Sequence, residues 1–268
     1  MVERVPRQLA LRLFVLLLAA IAMVSCARGG GASPGTGRGS SGGSPSLPPT
    51  SAPPPGASTT SVPSERPVAG GTLRRHWISS RLDGQVYAKP VVWKSLVLVA
   101  TEDDSVYALS LATGRQVWSA HLASPAPAAA LPCGDINPLG ITSTPGLDRR
   151  TGRLFVLAET YVNSSVSHRL FALDASDGHV LWSERADPLG MTSPRDQQQR
   201  PALVISRGRV YVSYGGLYGD CGTYRGYVVG LQVSAPGAMI TFSVAAANQA
   251  AIWSPSGPAV DAAGDLFV

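Results

Sequence analysis

The sequence predicts an all-β fold of repeated four-stranded antiparallel units, set behind an N-terminal export segment and a linker. Three observations predict it. A proline-centred signature recurs at Pro90, Pro145, Pro201 and Pro258, about every 56 residues. Short runs rich in Val, Leu, Tyr and Trp follow these prolines, and no long stretch of 3.6-residue periodicity separates them. The composition agrees: 44% hydrophobic and 15% charged residues, with 29 Gly and 22 Pro, suit turn-rich β structure better than helical bundles.

The first segment, residues 1–25, reads as a signal peptide. Arg4, Arg7 and Arg12 form a basic start, and Leu13 to Val24 is an apolar run shorter than the ~20 residues a membrane span needs. It ends in Ser25-Cys26, a small residue before cysteine, which resembles the bacterial lipobox and implies a lipid on Cys26. Residues 26–71 hold Gly-Gly-Gly at 29–31, Ser-Ser-Gly-Gly at 40–43 and Pro-Pro-Pro at 53–55, and almost no large apolar residue. Such a stretch cannot bury enough apolar area to offset the entropy of ordering it, so a flexible tether is expected.

Residues 72–268 carry the repeat. Ala88-Lys89-Pro90-Val91 precedes Leu96-Val97-Leu98-Val99; Ser143-Thr144-Pro145 precedes Leu154-Phe155-Val156; Gln199-Arg200-Pro201 precedes Val210-Tyr211-Val212; Ser256-Gly257-Pro258 precedes Leu266-Phe267-Val268. The first two units continue alike: Val106 to Leu109, the turn Ala112-Thr113-Gly114, then Val117-Trp118; and Leu170 to Leu173, the turn Ser176-Asp177-Gly178, then Leu181-Trp182. Two β-prone runs joined by a glycine-bearing turn make a hairpin. Four strands per unit make one blade. A lone blade cannot bury both faces, so blades stack around an axis as a β-propeller. About three and a half blades are expected, an incomplete ring in which Val268 falls within an early strand of a fourth unit.

Ala108-Leu109-Ser110-Leu111-Ala112-Thr113-Gly114-Arg115-Gln116-Val117-Trp118 resembles the tryptophan-docking motif A-x-D-x-x-T-G-x-x-x-W of the PQQ-type (quinoprotein-like) β-propellers. Ala172-Leu173-Asp174-Ala175-Ser176-Asp177-Gly178-His179-Val180-Leu181-Trp182 is a second copy. The first has Ser110 where the motif has Asp, and the second has Asp177 in place of Thr. The resemblance implies that Ala108, Gly114 and Trp118, with Ala172, Asp174, Gly178 and Trp182, are structural, each tryptophan packing between neighbouring blades. The third unit has no matching tryptophan and reads Gly226-Tyr227-Val228-Val229-Gly230-Leu231, so its outer hairpin departs from the pattern.

The family's dehydrogenases hold PQQ beside a Ca²⁺ ion and usually carry a disulfide between adjacent cysteines. Here no Cys-Cys pair occurs, and no Glu, Asn and Asp set can be matched to that site. Sharing a fold does not carry a function. Catalytic, cofactor-binding and metal-binding residues are therefore not assigned. His76, His121, His168 and His179 show no metal-ligand spacing. Asp103 and Asp104 read as a surface hairpin turn. The net charge of +5 comes without a dense Lys/Arg run, so nucleic acid is not an expected partner.

Two insertions, Leu122 to Ile141 and Tyr214 to Arg225, exceed what a blade needs, and long loops on a rigid scaffold are where binding usually resides. Asp135, Asp220 and Arg225 are the candidate binding-loop residues, with Arg200, Tyr218 and Tyr224 nearby. For Asp135 and Asp220 the competing role is capping of loop amides. Cys133 and Cys221 lie in these loops. An exported protein matures where thiols oxidise, so they are expected to pair, against the alternatives of free thiols or a partner elsewhere in a longer chain.

The functional expectation is a non-catalytic, extracytoplasmic, membrane-anchored propeller lipoprotein without a cofactor, acting as a scaffold for a protein or envelope component. The lipoprotein of the outer-membrane barrel assembly machinery is a non-enzymatic precedent within the resembled family. The competing readings are a PQQ-dependent dehydrogenase, or a truncated remnant of one, and a small-ligand sensor domain.

Overall fold

In the computed structural model, residues 75–246 and 248–268 are described. The expected export segment, Cys26 and the expected linker lie outside them. The first sheet has the order β1 (Val91–Trp93), β2 (Leu96–Ala100), β3 (Ser105–Ser110), β4 (Gln116–His121). The second is β5 (Gly146–Asp148), β6 (Arg153–Val162), β7 (Ser165–Asp174), β8 (Val180–Arg185). In the third, β9 (Gln197–Gln198) pairs with the end of β11, and β10 (Val204–Ser206), β11 (Arg209–Gly216), β12 (Tyr227–Gln232) and β13 (Ile240–Ser243) follow in order. A two-stranded ladder, β14 (Ala259–Val260) with β15 (Leu266–Phe267), begins a fourth. All these pairings are antiparallel, so each unit is an up-and-down blade. The third unit closes its outer hairpin even though it lacks the motif tryptophan.

The continuous apolar run of β6 is explained by burial on both faces. Leu154, Val156 and Ala158 join Leu98, Ala100, Val106 and Ala108 of the first sheet in one core. Phe155 and Leu157 point the other way, into a second core with Val210, Val212, Tyr214 and Leu231 of the third sheet. A period of two thus distributes one strand between two blade interfaces.

The 56-residue period also appears as hydrogen bonds between blades. Thr144 joins all three units: its Oγ1 accepts from Lys89 N–H at 3.0 Å, and its carbonyl accepts from Leu203 N–H at 3.0 Å. Thr142 Oγ1 donates to Gln199 O at 3.1 Å. The proline-centred segments are therefore the inner seam along which blades are stitched.

The outer seam is the tryptophan motif. Register shifts fall at Ala108/Leu109 and again at Ala172/Leu173, a β-bulge at the same point of both copies, which lets Val117 and Leu181 drop out of the ladder. Trp118 Nε1 donates to Ala175 O at 3.2 Å, and the ring covers Gly178, where φ is +79° and a Cβ would lie 2.5 Å from Trp118 Cε3. Only glycine satisfies both the turn and that approach. Trp77, which the repeat reading did not single out, repeats the arrangement one unit earlier: its Nε1 donates to Leu111 O at 2.8 Å, and its ring covers Gly114. At the third unit the equivalent carbonyl, Val233 O, is taken instead by Arg153 Nη1 at 3.0 Å, and Trp182 Nε1 is left buried without a partner. Trp182 still packs in the core between the second and third sheets, 5.9 Å from Phe155.

Candidate binding cleft

The loop between β4 and β5 is an ordered structure with its own core. Ala126 and Leu139 exchange backbone hydrogen bonds of 2.9 and 2.7 Å, closing its neck. Inside, a single 3-10 turn spans Ala128–Ala130, and Ala128 N–H donates to Asn137 Oδ1 at 3.0 Å. Ala126, Leu131, Ile136 and Leu139 bury themselves against Leu217, the first residue after β11. The two inserted loops therefore share a small core. They are also joined covalently: Cys133 and Cys221 form a disulfide with Cα atoms 6.2 Å apart. The second loop is shorter than the sequence reading gave, because Tyr214, Gly215 and Gly216 belong to β11. Tyr214 is fully buried and donates its hydroxyl to Ala186 O at 2.8 Å, which makes it a core residue.

Between the linked loops and the inner seam lies an open cleft of about 730 Å³. Tyr87, Asp135, Arg200, Tyr218, Asp220 and Trp253 are among the residues that line it. Tyr218 is 72% exposed and Trp253 51% exposed, so both rings are open to solvent. Trp253 lies against Gly215, where a Cβ would meet its ring at 2.9 Å. Arg200 is half-buried and fixed. Its Nη1 donates to Thr142 O at 2.8 Å and Tyr87 O at 3.4 Å, and the guanidinium sits 5.3 Å from the Tyr87 ring centroid. Burial and the carboxylates of Glu102 and Asp135 raise the Tyr87 phenol pKa, which Arg200 partly offsets.

Of the loop residues singled out from the sequence, the structure brings Asp135, Asp220, Tyr218 and Arg200 to this cleft. Arg225 and Tyr224 are not among its lining residues, and Tyr224 stands behind the lining residues Gly216 and Asp220. Tyr224 is buried over Gly216 and donates its hydroxyl to Asp220 Oδ1 at 2.5 Å, a bond that, with burial, pushes its pKa up to about 12. The side-chain partner of Asp220 is thus a phenol. Arg225 forms a backbone bridge with Ala250. Trp253, in the segment leading to the fourth unit, was not singled out from the sequence.

Two buried polar groups also escaped the sequence reading. Asp104, read as a surface turn residue, is fully buried. Burial and the carboxylates of Glu159 and Asp103 raise its pKa to about 9, the Ile141 amide opposes this only in part, and neither oxygen has a partner of regular hydrogen-bond geometry. His168 is also fully buried. Its Nδ1 donates to Asp187 Oδ1 at 2.7 Å, its Nε2 lies 3.5 Å from Glu159 Oε2, and Arg185 Nε donates to Asp187 Oδ2 at 2.6 Å. Burial opposes the imidazolium, but these two carboxylates outweigh it and raise the pKa to about 10. The cluster is closed off beneath Tyr214, whose ring meets the imidazole edge-on at 5.0 Å. This charge arrangement ties β6, β7 and the segment after β8 together. Among the described residues, no group of three or more His, Cys, Asp or Glu could hold a metal ion.

No curated protein matches the chain. Among solved structures it is similar to the quinohemoprotein alcohol dehydrogenase ADHIIG of Pseudomonas putida HK5, at 24% identity over 63% of this chain and 22% of that one, with a TM-score of 0.46. It is similar to BamB of Moraxella catarrhalis at 15% identity over 66% of this chain and 54% of that one, TM-score 0.39. The computationally designed Ika4 protein matches at 12% identity, covering 65% and 99% of the two chains, TM-score 0.33. The chain thus spans about a fifth of the length of the dehydrogenase and about half that of the second structure. The family profile described as outer membrane protein assembly factor BamB matches residues 74–217, more than half of the sequence and all of the first two blades, and the chain belongs to that family.

Proposed function

We propose that this protein is a non-catalytic binding scaffold of the cell envelope, tethered outside the cytoplasm by a lipid on Cys26, which presents the cleft between its two inserted loops to a protein or envelope component. The observation that carries this reading is the construction of the cleft. Two long loops, each an addition to the blade plan, share a buried core and a disulfide, and the cleft beside them carries the exposed rings of Tyr218 and Trp253. A rigid rim holding aromatic rings open to solvent is built for contact. Membership of an assembly-factor family is consistent with a binding role, and the signal-like start, the Ser25-Cys26 junction and the long linker fit a tethered location.

The test is recovery of bound material from native envelopes by the full-length protein, compared with a Tyr218→Ala/Asp220→Ala variant and with Cys26→Ala. Wild type is expected to fractionate with membranes and to retain a partner that the loop variant loses; Cys26→Ala is expected to leave the membrane fraction. Identical recovery by wild type and the loop variant would refute the cleft as the binding surface.

A further inference from the structure

From the chemistry of the cleft we infer that its ligand is a neutral oligosaccharide, held by stacking on Trp253 and Tyr218 and by hydrogen bonds to Asp135, Asp220, Gln198 and Arg200. This inference rests on the binding role proposed above and names the class of ligand. The size comes first: about 730 Å³ falls within the ~300–1,000 Å³ of small-ligand sites and admits several linked rings. The charges come second. Asp135 and Asp220 face an incoming anion, while Arg200, held in place by two carbonyls and the Tyr87 ring, faces an incoming cation. Neither a strongly anionic nor a strongly cationic ligand finds an unopposed partner.

The hydrogen-bonding groups come third. The carboxylates only accept, the guanidinium only donates, and the amide of Gln198, buried on β9, does both. A sugar hydroxyl donates and accepts at once, so a mixed set of this kind can satisfy it in full. The rings come last. A sugar also presents a face of weakly positive C–H groups, which the negative face of an indole or phenol attracts. Exposed Trp253 and Tyr218 supply those faces, whereas the Tyr87 ring is already covered by Arg200. Aromatic platforms beside paired donors and acceptors, with little net charge, describe a site for polyhydroxylated rings.

The experiment is titration of the purified full chain with maltohexaose, cellohexaose, mannohexaose and the hexamer of N-acetylglucosamine, followed by calorimetry and indole fluorescence. Tetramethylammonium, inorganic phosphate and a lysine-rich peptide serve as charged probes. At least one hexasaccharide is expected to bind saturably. Trp253→Ala should weaken it about tenfold or more, and Asp135→Asn, at an exposed position that cannot disturb the core, should weaken it severalfold. If Trp253→Ala fails to fold by circular dichroism, Asp135→Asn and Tyr218→Ala decide. Binding of none of the four sugars, sugar binding that these variants leave unchanged, or tighter binding of a charged probe would overturn the inference. Loss of sugar binding alone, with cleft-dependent recovery of a protein from envelopes intact, would refute the saccharide and leave the scaffold reading standing.

Discussion

Trp118 and Ala175 form a bond between blades: the indole Nε1 of the first sheet's outer strand donates to the carbonyl just after β7 of the second, at 3.2 Å, with Gly178 beneath the ring. Removing the ring empties a buried interface. Trp118→Ala is expected to cost about 3–5 kcal/mol. Gly178→Ala forces a side chain into a positive φ and against the indole, which is expected to cost about 1–3 kcal/mol. Urea unfolding measures both, and midpoints equal to wild type would show that the seam contributes nothing.

The third unit gives an internal control. Trp182 occupies the motif position of Trp118, but Arg153 has taken the carbonyl that its N–H would reach. Trp118→Phe should therefore lose a hydrogen bond, about 1 kcal/mol beyond the change in ring size. Trp182→Phe removes an unpartnered buried donor and should cost less. The comparison fails if the two variants lose stability equally.

The blade plan was legible because its signals are local and repeated. Pro90, Pro145 and Pro201 mark inner seams, and Ala, Gly and Trp at fixed spacing mark the outer hairpins. Trp77 was missed because the residues before it, Pro67 to His76, lack the Ala, Asp and Gly positions of the motif, so it stands as a lone tryptophan in the sequence. Asp104 looked like a turn residue because its neighbours are polar, whereas its burial is imposed by Gly140 and the inserted loop, which arrive from far along the chain. His168 shows no spacing that betrays it, since Glu159 reaches it across the β6–β7 register and Asp187 from beyond β8. Of the cleft, the loops were legible as insertions. Their pairing with Trp253 was not, because that residue comes from the segment after the third blade.

Stability should fall as pH rises above neutral. For Asp104 the folded pKa is about 9 against an ordinary 3.8, so the folded chain holds a proton that the unfolded chain has released, and the penalty grows from about pH 4 until it is complete above about pH 9. For His168 the folded pKa is about 10 against 6.5, so its contribution is full below about pH 6.5 and is lost as pH rises through about 10. Asp187 works in the opposite direction. Burial raises its pKa, but His168 and Arg185 outweigh this and hold it below the usual carboxylate range, and its contribution is lost only in acid. Asp104→Asn removes the first penalty. Its melting temperature should exceed that of wild type at about pH 9 and converge with it near pH 4. Parallel melting curves across this range would rule out Asp104 as the source.

The Cys133–Cys221 bond closes a span of 88 residues, which the chain-entropy model rates at about 4–5 kcal/mol. Cys221→Ser should lower the unfolding midpoint and speed proteolysis within residues 122–141 and 217–226. Unreduced tryptic maps of protein recovered from the envelope should contain one linked peptide with both cysteines. Two separately alkylated peptides would refute the bond.

Contact through the inserted loops, and not through the blade edges, is read out by photo-crosslinking in intact cells. A benzoyl-phenylalanine is placed at position 218 in the cleft or at position 181 on the exposed outer strand β8. A discrete adduct is expected from position 218 and none from position 181. An adduct from position 181 alone, or from neither position, would refute contact through the loops.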